Sequence, residues 1–110
     1  MERRATIYVH QRPAAVLVQH PVPGAGQYEL RYLPEYLDSP GATAISLLLP
    51  LRRESYFSDK LFAYFDNLLP EGDFRSGICR SLRVDESDSF GLLLSLARYD
   101  SIGAVTVRGE

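Results

Sequence analysis

Apolar and polar residues alternate with a period of two along the first part of the chain and shift to a helical period in the second half. Over residues 4–10, Ala5, Ile7 and Val9 share one face of an extended strand, and Thr6, Tyr8 and His10 share the other. Gln11, Arg12 and Pro13 read as a turn, and residues 14–19 as a second strand. Pro21, Pro23, Gly24 and Gly26 punctuate a loop. Alternation returns over 27–33, where Tyr28, Leu30 and Tyr32 oppose Glu29 and Arg31. Residues 33–37 make one helical turn, and Ser39-Pro40-Gly41 is a turn signal. A strand over 43–51 follows, with Ile45, Leu47, Leu49 and Leu51 on one face. Pro50 suits a strand end or an edge there, because it has no N–H to give a ladder.

From residue 61 the apolar spacing is that of one helix face, through Leu61, Phe62, Phe65, Leu68 and Leu69. Ser58 can cap this helix, and Asp59 suits the positive end of its dipole. Pro70 disfavours the helical conformation at Leu69 and marks its end. Phe74, Ile78 and Leu82 then repeat at helical spacing with Cys79 beside them. Gly77 weakens that second helix by about 1 kcal/mol relative to alanine. A third helix starts at a capping Asp88 and runs to Ala97, with Phe90, Leu93, Leu94 and Ala97 inward. Residues 104–107 form a short strand that rejoins the sheet. The predicted fold is α+β: N-terminal antiparallel strands forming a small sheet or partial barrel, three helices, and a closing C-terminal strand.

The 110 residues suit a single domain over 1–110 with one core. Hydrophobic residues make up 45% and charged residues 24%, ordinary values for a soluble globular chain. A net charge of −2 supplies no global attraction to nucleic acid or to anionic membrane. No apolar run approaches a membrane span, and Met1-Glu2-Arg3-Arg4 is not followed by a signal-peptide core. The single cysteine, Cys79, has no internal partner, which fits a reducing cytoplasm.

Catalytic patterns are sparse. His10 and His20 lie far in sequence from Cys79, and no paired His or Cys spacing points to a metal. Gly24-Ala25-Gly26 lacks the strand-to-helix setting and the lysine of a phosphate loop. No cofactor is expected. Cys79 beside an apolar helix face is ordinarily a packing residue, though a Cys–His pair stays open. Glu71 and Asp73 read first as solvated loop and helix-start charges, and only second as an acid–base pair. Arg52, Arg53, Arg75, Arg80 and Arg83 could contact phosphates, but Asp85, Glu86 and Asp88 cancel most of that field. Tyr28 and Tyr32 default to packing on one strand face, with an aromatic interaction patch as the minor reading.

One run is more specific. Phe65-Asp66-Asn67-Leu68-Leu69-Pro70-Glu71-Gly72 closely resembles the signature of the N-terminal subdomain of HipA-family Ser/Thr kinases, the toxins of bacterial toxin–antitoxin modules. Tyr32-Leu33-Pro34-Glu35-Tyr36-Leu37 and Ile45-Ser46-Leu47-Leu48-Leu49-Pro50-Leu51 are similar to two further blocks of that subdomain, the latter a strand. So are Phe90-Gly91-Leu92-Leu93 and Arg98-Tyr99-Asp100-Ser101-Ile102-Gly103-Ala104-Val105. Ala97 stands where glycine is common, Tyr99 is an extra aromatic, and Asp73-Phe74 stands where some relatives carry Trp.

In the family the ATP-binding and catalytic residues lie downstream, and none of those motifs occurs here. The resemblance therefore implies a free-standing, HipS-like antitoxin of a tripartite module. Such a protein binds and neutralises a separate HipT/HipA-like Ser/Thr kinase, alongside a HipB-like DNA-binding protein. The alternative is the N-terminal regulatory subdomain of a HipA-type kinase; a small enzyme using Glu71, Asp73 and Cys79 is disfavoured. The expected partner-binding residues are Leu69, Pro70, Glu71, Gly72, Asp73, Phe74 and Arg75, the turn after the signature helix. No direct nucleic-acid contact is expected, and no membrane contact.

Overall fold

A computed structural model describes residues 2–96 and 105–109 of the chain. Five strands form one antiparallel sheet: β1 (Arg3–Val9), β2 (Arg12–Gln19), β3 (Tyr28–Tyr32), β4 (Tyr56–Ser58) and β5 (Val105–Gly109). Their order is β4-β3-β2-β1-β5, so the last strand closes beside the first. Four helices are described: α1 (Pro34–Leu37), α2 (Ala63–Asp66), α3 (Gly72–Leu82) and α4 (Ser89–Leu96). The fold is α+β as predicted, with one helix more than the three expected because the turn at 34–37 is a helix in its own right.

The alternation reading holds for β1 and β3. Ala5, Ile7, Val9, Leu30 and Tyr32 are all buried, and Thr6, Tyr8, Glu29 and Arg31 lie on the other face. The first hairpin reverses one residue earlier than expected. His10 and Gln11 both have positive φ, 49° and 66°, as a two-residue hairpin loop requires. Arg12 and Pro13 consequently belong to β2. The register slips where Ile7 faces Ala15 but Tyr8 faces Pro13, so Ala14 is the extra residue of a bulge. That is why Ala14 and its neighbour Ala15 are both fully buried, and a bulge is where a strand tolerates proline.

The expected strand over 43–51 does not form. Ile45 and Leu49 are buried, but Leu47 and Leu48 are exposed at the crest of a tight turn, joined at its base by a single bridge between Ser46 and Leu49. The edge of β3 is instead taken by β4, which the alternation pattern did not reveal. The predicted helix over 61–69 is also shorter. Only α2 is helical, Phe62 occupies its N-cap without a side-chain bond, and Ser58 lies in β4. The chain nevertheless keeps turning after α2 through i→i−3 bonds, Leu68 N–H to Phe65 O and Leu69 N–H to Asp66 O, both 3.1 Å. Leu61, Phe65 and Leu69 thus all reach the core, as the spacing implied.

The helices cover one face of the sheet. Tyr28, Leu30 and Tyr32 of β3, Val105 and Val107 of β5, Phe65, Cys79, Phe90, Leu92 and Leu93 share one cluster. Asp88 caps α4, accepting the Gly91 N–H at 3.0 Å. Its carboxylate also receives two bonds from the Arg3 guanidinium, at 2.6 and 3.0 Å, clamping the start of β1 to the start of α4. That pairing holds the Asp88 carboxyl below the usual carboxylate range. Phe90 and Leu93 point inward as expected and Leu94 is half-buried; Ala97 and Ala104 lie outside the described residues. No described helix is long and apolar enough to cross a membrane.

Candidate functional site

The signature run ends by delivering the chain from α2 into α3. Leu69 anchors the turn in the core, Pro70 is half-buried beside it, and Glu71 is extended and exposed at the N-cap of α3. Gly72 opens the helix with φ +61°, a conformation that costs most other residues strain. Asp73 is exposed in the first turn, where its charge suits the helix dipole. Phe74 follows and is 71% exposed. Its ring is therefore not the first residue of a core face, although the spacing of Phe74, Ile78 and Leu82 allowed that.

The stripe also borders a groove. Phe74, Gly77, Ile78, Ser81 and Leu82 of α3, with Asp73 and with Leu96 of α4, line an open groove of about 520 Å³. Ile78 and Leu82 are half-buried and also pack against the core, and Cys79, 1% exposed, is the buried residue of α3. Gly77 has open space where a Cβ would sit, so the middle of the groove is unobstructed.

Arg75 turns the other way. Its guanidinium donates to the Glu86 carbonyl, 3.1 Å from Nε, and to Ser89 Oγ at 3.2 Å. Ser76 Oγ donates to the Glu86 carboxylate at 2.9 Å. These bonds tie the outer side of α3 to the loop before α4. Arg83 ends α3 in the left-handed region, φ 58°, and Val84 N–H returns to Cys79 O at 2.9 Å. The loop is stiffened by Asp85, which accepts from the backbone N–H and hydroxyl of Ser87; the hydroxyl bond, first, lowers its carboxyl pKa.

The other sequence candidates sit elsewhere. Tyr28 and Tyr32 are buried, so their strand face offers no aromatic patch. His10 is exposed in the first hairpin. The His20 ring lies between Glu29, 2.8 Å from Nε2, and Glu2, 3.3 Å from Nδ1. Ser55 Oγ donates to the far oxygen of Glu29, the leading cause of that carboxyl's lowered pKa. The ring nitrogens of His20 are thus engaged by carboxylates, and Cys79 is sealed in the core. Among the described residues, no three His, Cys, Asp or Glu side chains come together to hold a metal ion. Gly77, Ser81 and Leu96 line the groove without having been singled out for it; Gly77, a helix-weakening residue at mid-helix, was the available signal.

Residues 5–108 match the family model described as the HipA N-terminal domain. The chain belongs to the HipA N-terminal domain family. A solved structure described as the N-terminal domain of HipA toxin superposes with a TM-score of 0.64 at 25% identity, covering 98% of this chain and 92% of that one. An uncharacterized protein of Haemophilus influenzae is 35% identical over 83 residues, 76% of this chain and 74% of that relative. The likeness to a HipA-type domain thus extends through both the sheet and the helices, and it ties the chain to HipA-family toxin–antitoxin proteins.

Proposed function

We propose that this HipA N-terminal domain protein is a non-catalytic antitoxin, which binds a separately encoded HipA-like Ser/Thr kinase and neutralises it. The observation that carries the reading is Phe74, 71% exposed at the rim of an apolar groove directly after the family signature. A ring continuous with an apolar groove makes a contiguous exposed patch, and patches of that kind mark docking surfaces. Burying the ring against a partner is worth about 1.5–3 kcal/mol. Aromatic anchors of this kind commonly carry a large share of an interface's binding energy. Leu69 and Pro70 aim the turn, Gly72 permits it, and Glu71 and Asp73 supply a polar rim. Arg75, spent on Glu86 and Ser89, holds the turn in place and is not a contact residue in this reading.

The same surface would serve in cis if the domain were the N-terminal regulatory part of a kinase chain, since family membership fits both arrangements. The test is co-expression with a HipA-like Ser/Thr kinase from the same genome. The antitoxin reading expects the kinase's growth arrest to be relieved by the wild-type chain. An arrest left unchanged by abundant, folded protein would overturn it.

A further inference from the structure

Two opposite charges stand along the outer side of α3. Asp73 lies in its first turn and Arg80 in its last, and both are exposed. Being seven residues apart, they fall on one line along the helix. Gly77 sits on that line between them, four residues after Asp73 and three before Arg80, with open space where a Cβ would be. Among the described residues neither charged side chain has a hydrogen-bond or ion-pair partner, whereas Arg75 is held by Glu86 and Ser89. The helix dipole accounts for the sign of the charge at each end. It does not account for both charges running beside an apolar groove lined by Phe74, Gly77 and Ser81 as well as by Asp73.

The line is its own complement. Turned end for end about Gly77, it reads positive where it read negative. Two α3 helices crossing antiparallel at their glycines therefore bring Asp73 of each copy to the turn of the other that holds Arg80, once at each end. The carboxylate and the guanidinium start about 6 and 4.5 Å along the axis from the glycine, a difference that flexible side chains span. Gly77 lets the two backbones come close, so that the side chains of each helix settle into the groove of the other. Phe74 of each copy then covers the part of the second copy's groove near Ser81. A contact of this kind is isologous and closes at two copies. A second copy supplies the reversed order of charges by itself; any other partner would have to carry it.

We infer that the chain self-associates as a two-fold dimer through antiparallel α3 helices, with Asp73 of each copy paired to Arg80 of the other across Gly77. The contact is one helix face wide, so it is a reversible equilibrium populated at high concentration. It stands apart from the antitoxin reading. It also covers Phe74, so the dimer and a kinase docked on that ring exclude each other.

Sedimentation velocity over a concentration series tests the inference with the parent, Asp73→Arg, Arg80→Asp, and the double variant that exchanges the two charges. All the changes are at exposed side chains, and circular dichroism should show parent-like folding. The parent should show a reversible monomer–dimer equilibrium. Each single variant should dimerise with a Kd at least tenfold weaker, because like charges then face each other twice. An equimolar mixture of the two single variants should recover the dimer, as should the double variant, because opposite charges meet again. An effect on the helix dipole alone is not restored by mixing. A parent that stays monomeric at about 1 mM overturns the inference. So do single variants that dimerise as well as the parent, and a mixture that stays monomeric. No kinase enters the assay, so its failure leaves the antitoxin reading to its own test.

Discussion

Replacing Phe65 with alanine probes the element that carries the family signature. The ring is fully buried and meets Tyr64 edge-on, with centroids 5.2 Å apart. Its helix, α2, has four residues and no side-chain cap, so helix propensity contributes almost nothing to its position. The segment is pinned by Leu61, Phe65 and Leu69, and Phe65 is the largest of them. Truncating a core phenylalanine to alanine costs about 3–5 kcal/mol, of which the aromatic pair is roughly 0.5–1.5. Against a total of about 5–15 kcal/mol for a domain, that is a large loss. Urea unfolding followed by circular dichroism reads it out. With a slope of about 1–3 kcal/mol per molar, the midpoint should fall by roughly 2 M. A loss under about 1 kcal/mol at unchanged slope would refute the claim that this side chain pins the segment.

Gly77→Ala should raise stability by about 0.5–1 kcal/mol, because the site is mid-helix and its Cβ meets open space; thermal unfolding measures it. Asp88→Asn keeps a good helix cap but loses the charge facing Arg3, and should cost under about 1 kcal/mol. Asp88→Ala loses the cap as well and should cost about 1–2 kcal/mol. Because the Asp88 pKa is lowered in the folded chain, its stabilisation is present above the unfolded value near 3.9 and is lost as pH falls through the lower folded value. Urea midpoints of the parent should therefore converge on those of Asp88→Asn as the pH drops below about 4.

How much of this was legible depends on where each residue's signal came from. The buried face of β1 could be read from Ala5, Ile7 and Val9 because a strand paired on both sides has only two faces to fill. The same alternation over 43–51 misled. A strand needs a free ladder edge, and β4 holds the edge of β3 while the Tyr32 hydroxyl captures Ile45 and Leu49. Neither fact is local to the sequence that suffers it. At 61–69 the spacing named the right core residues although most of the segment is not α-helical, since tightened i→i−3 turns keep Leu61, Phe65 and Leu69 on one side. For the candidate site, the turn from Leu69 to Gly72 followed from proline and glycine chemistry. The opposite directions of Phe74 and Arg75 did not, because they are decided by the Glu86 carbonyl eleven residues beyond Arg75 and by Leu96 on another helix.

The central claim is tested most directly by titrating a purified HipA-like Ser/Thr kinase from the same genome with the parent chain and with Phe74→Ala. Phe74 is exposed, so the variant should fold with an unchanged circular dichroism spectrum and thermal midpoint. The account predicts a stoichiometric complex with the parent and a Kd at least tenfold weaker for the variant, about 1.4 kcal/mol or more. Equal affinity for the folded variant would move the interface away from the signature turn, and a kinase that binds neither protein would contradict the claim outright.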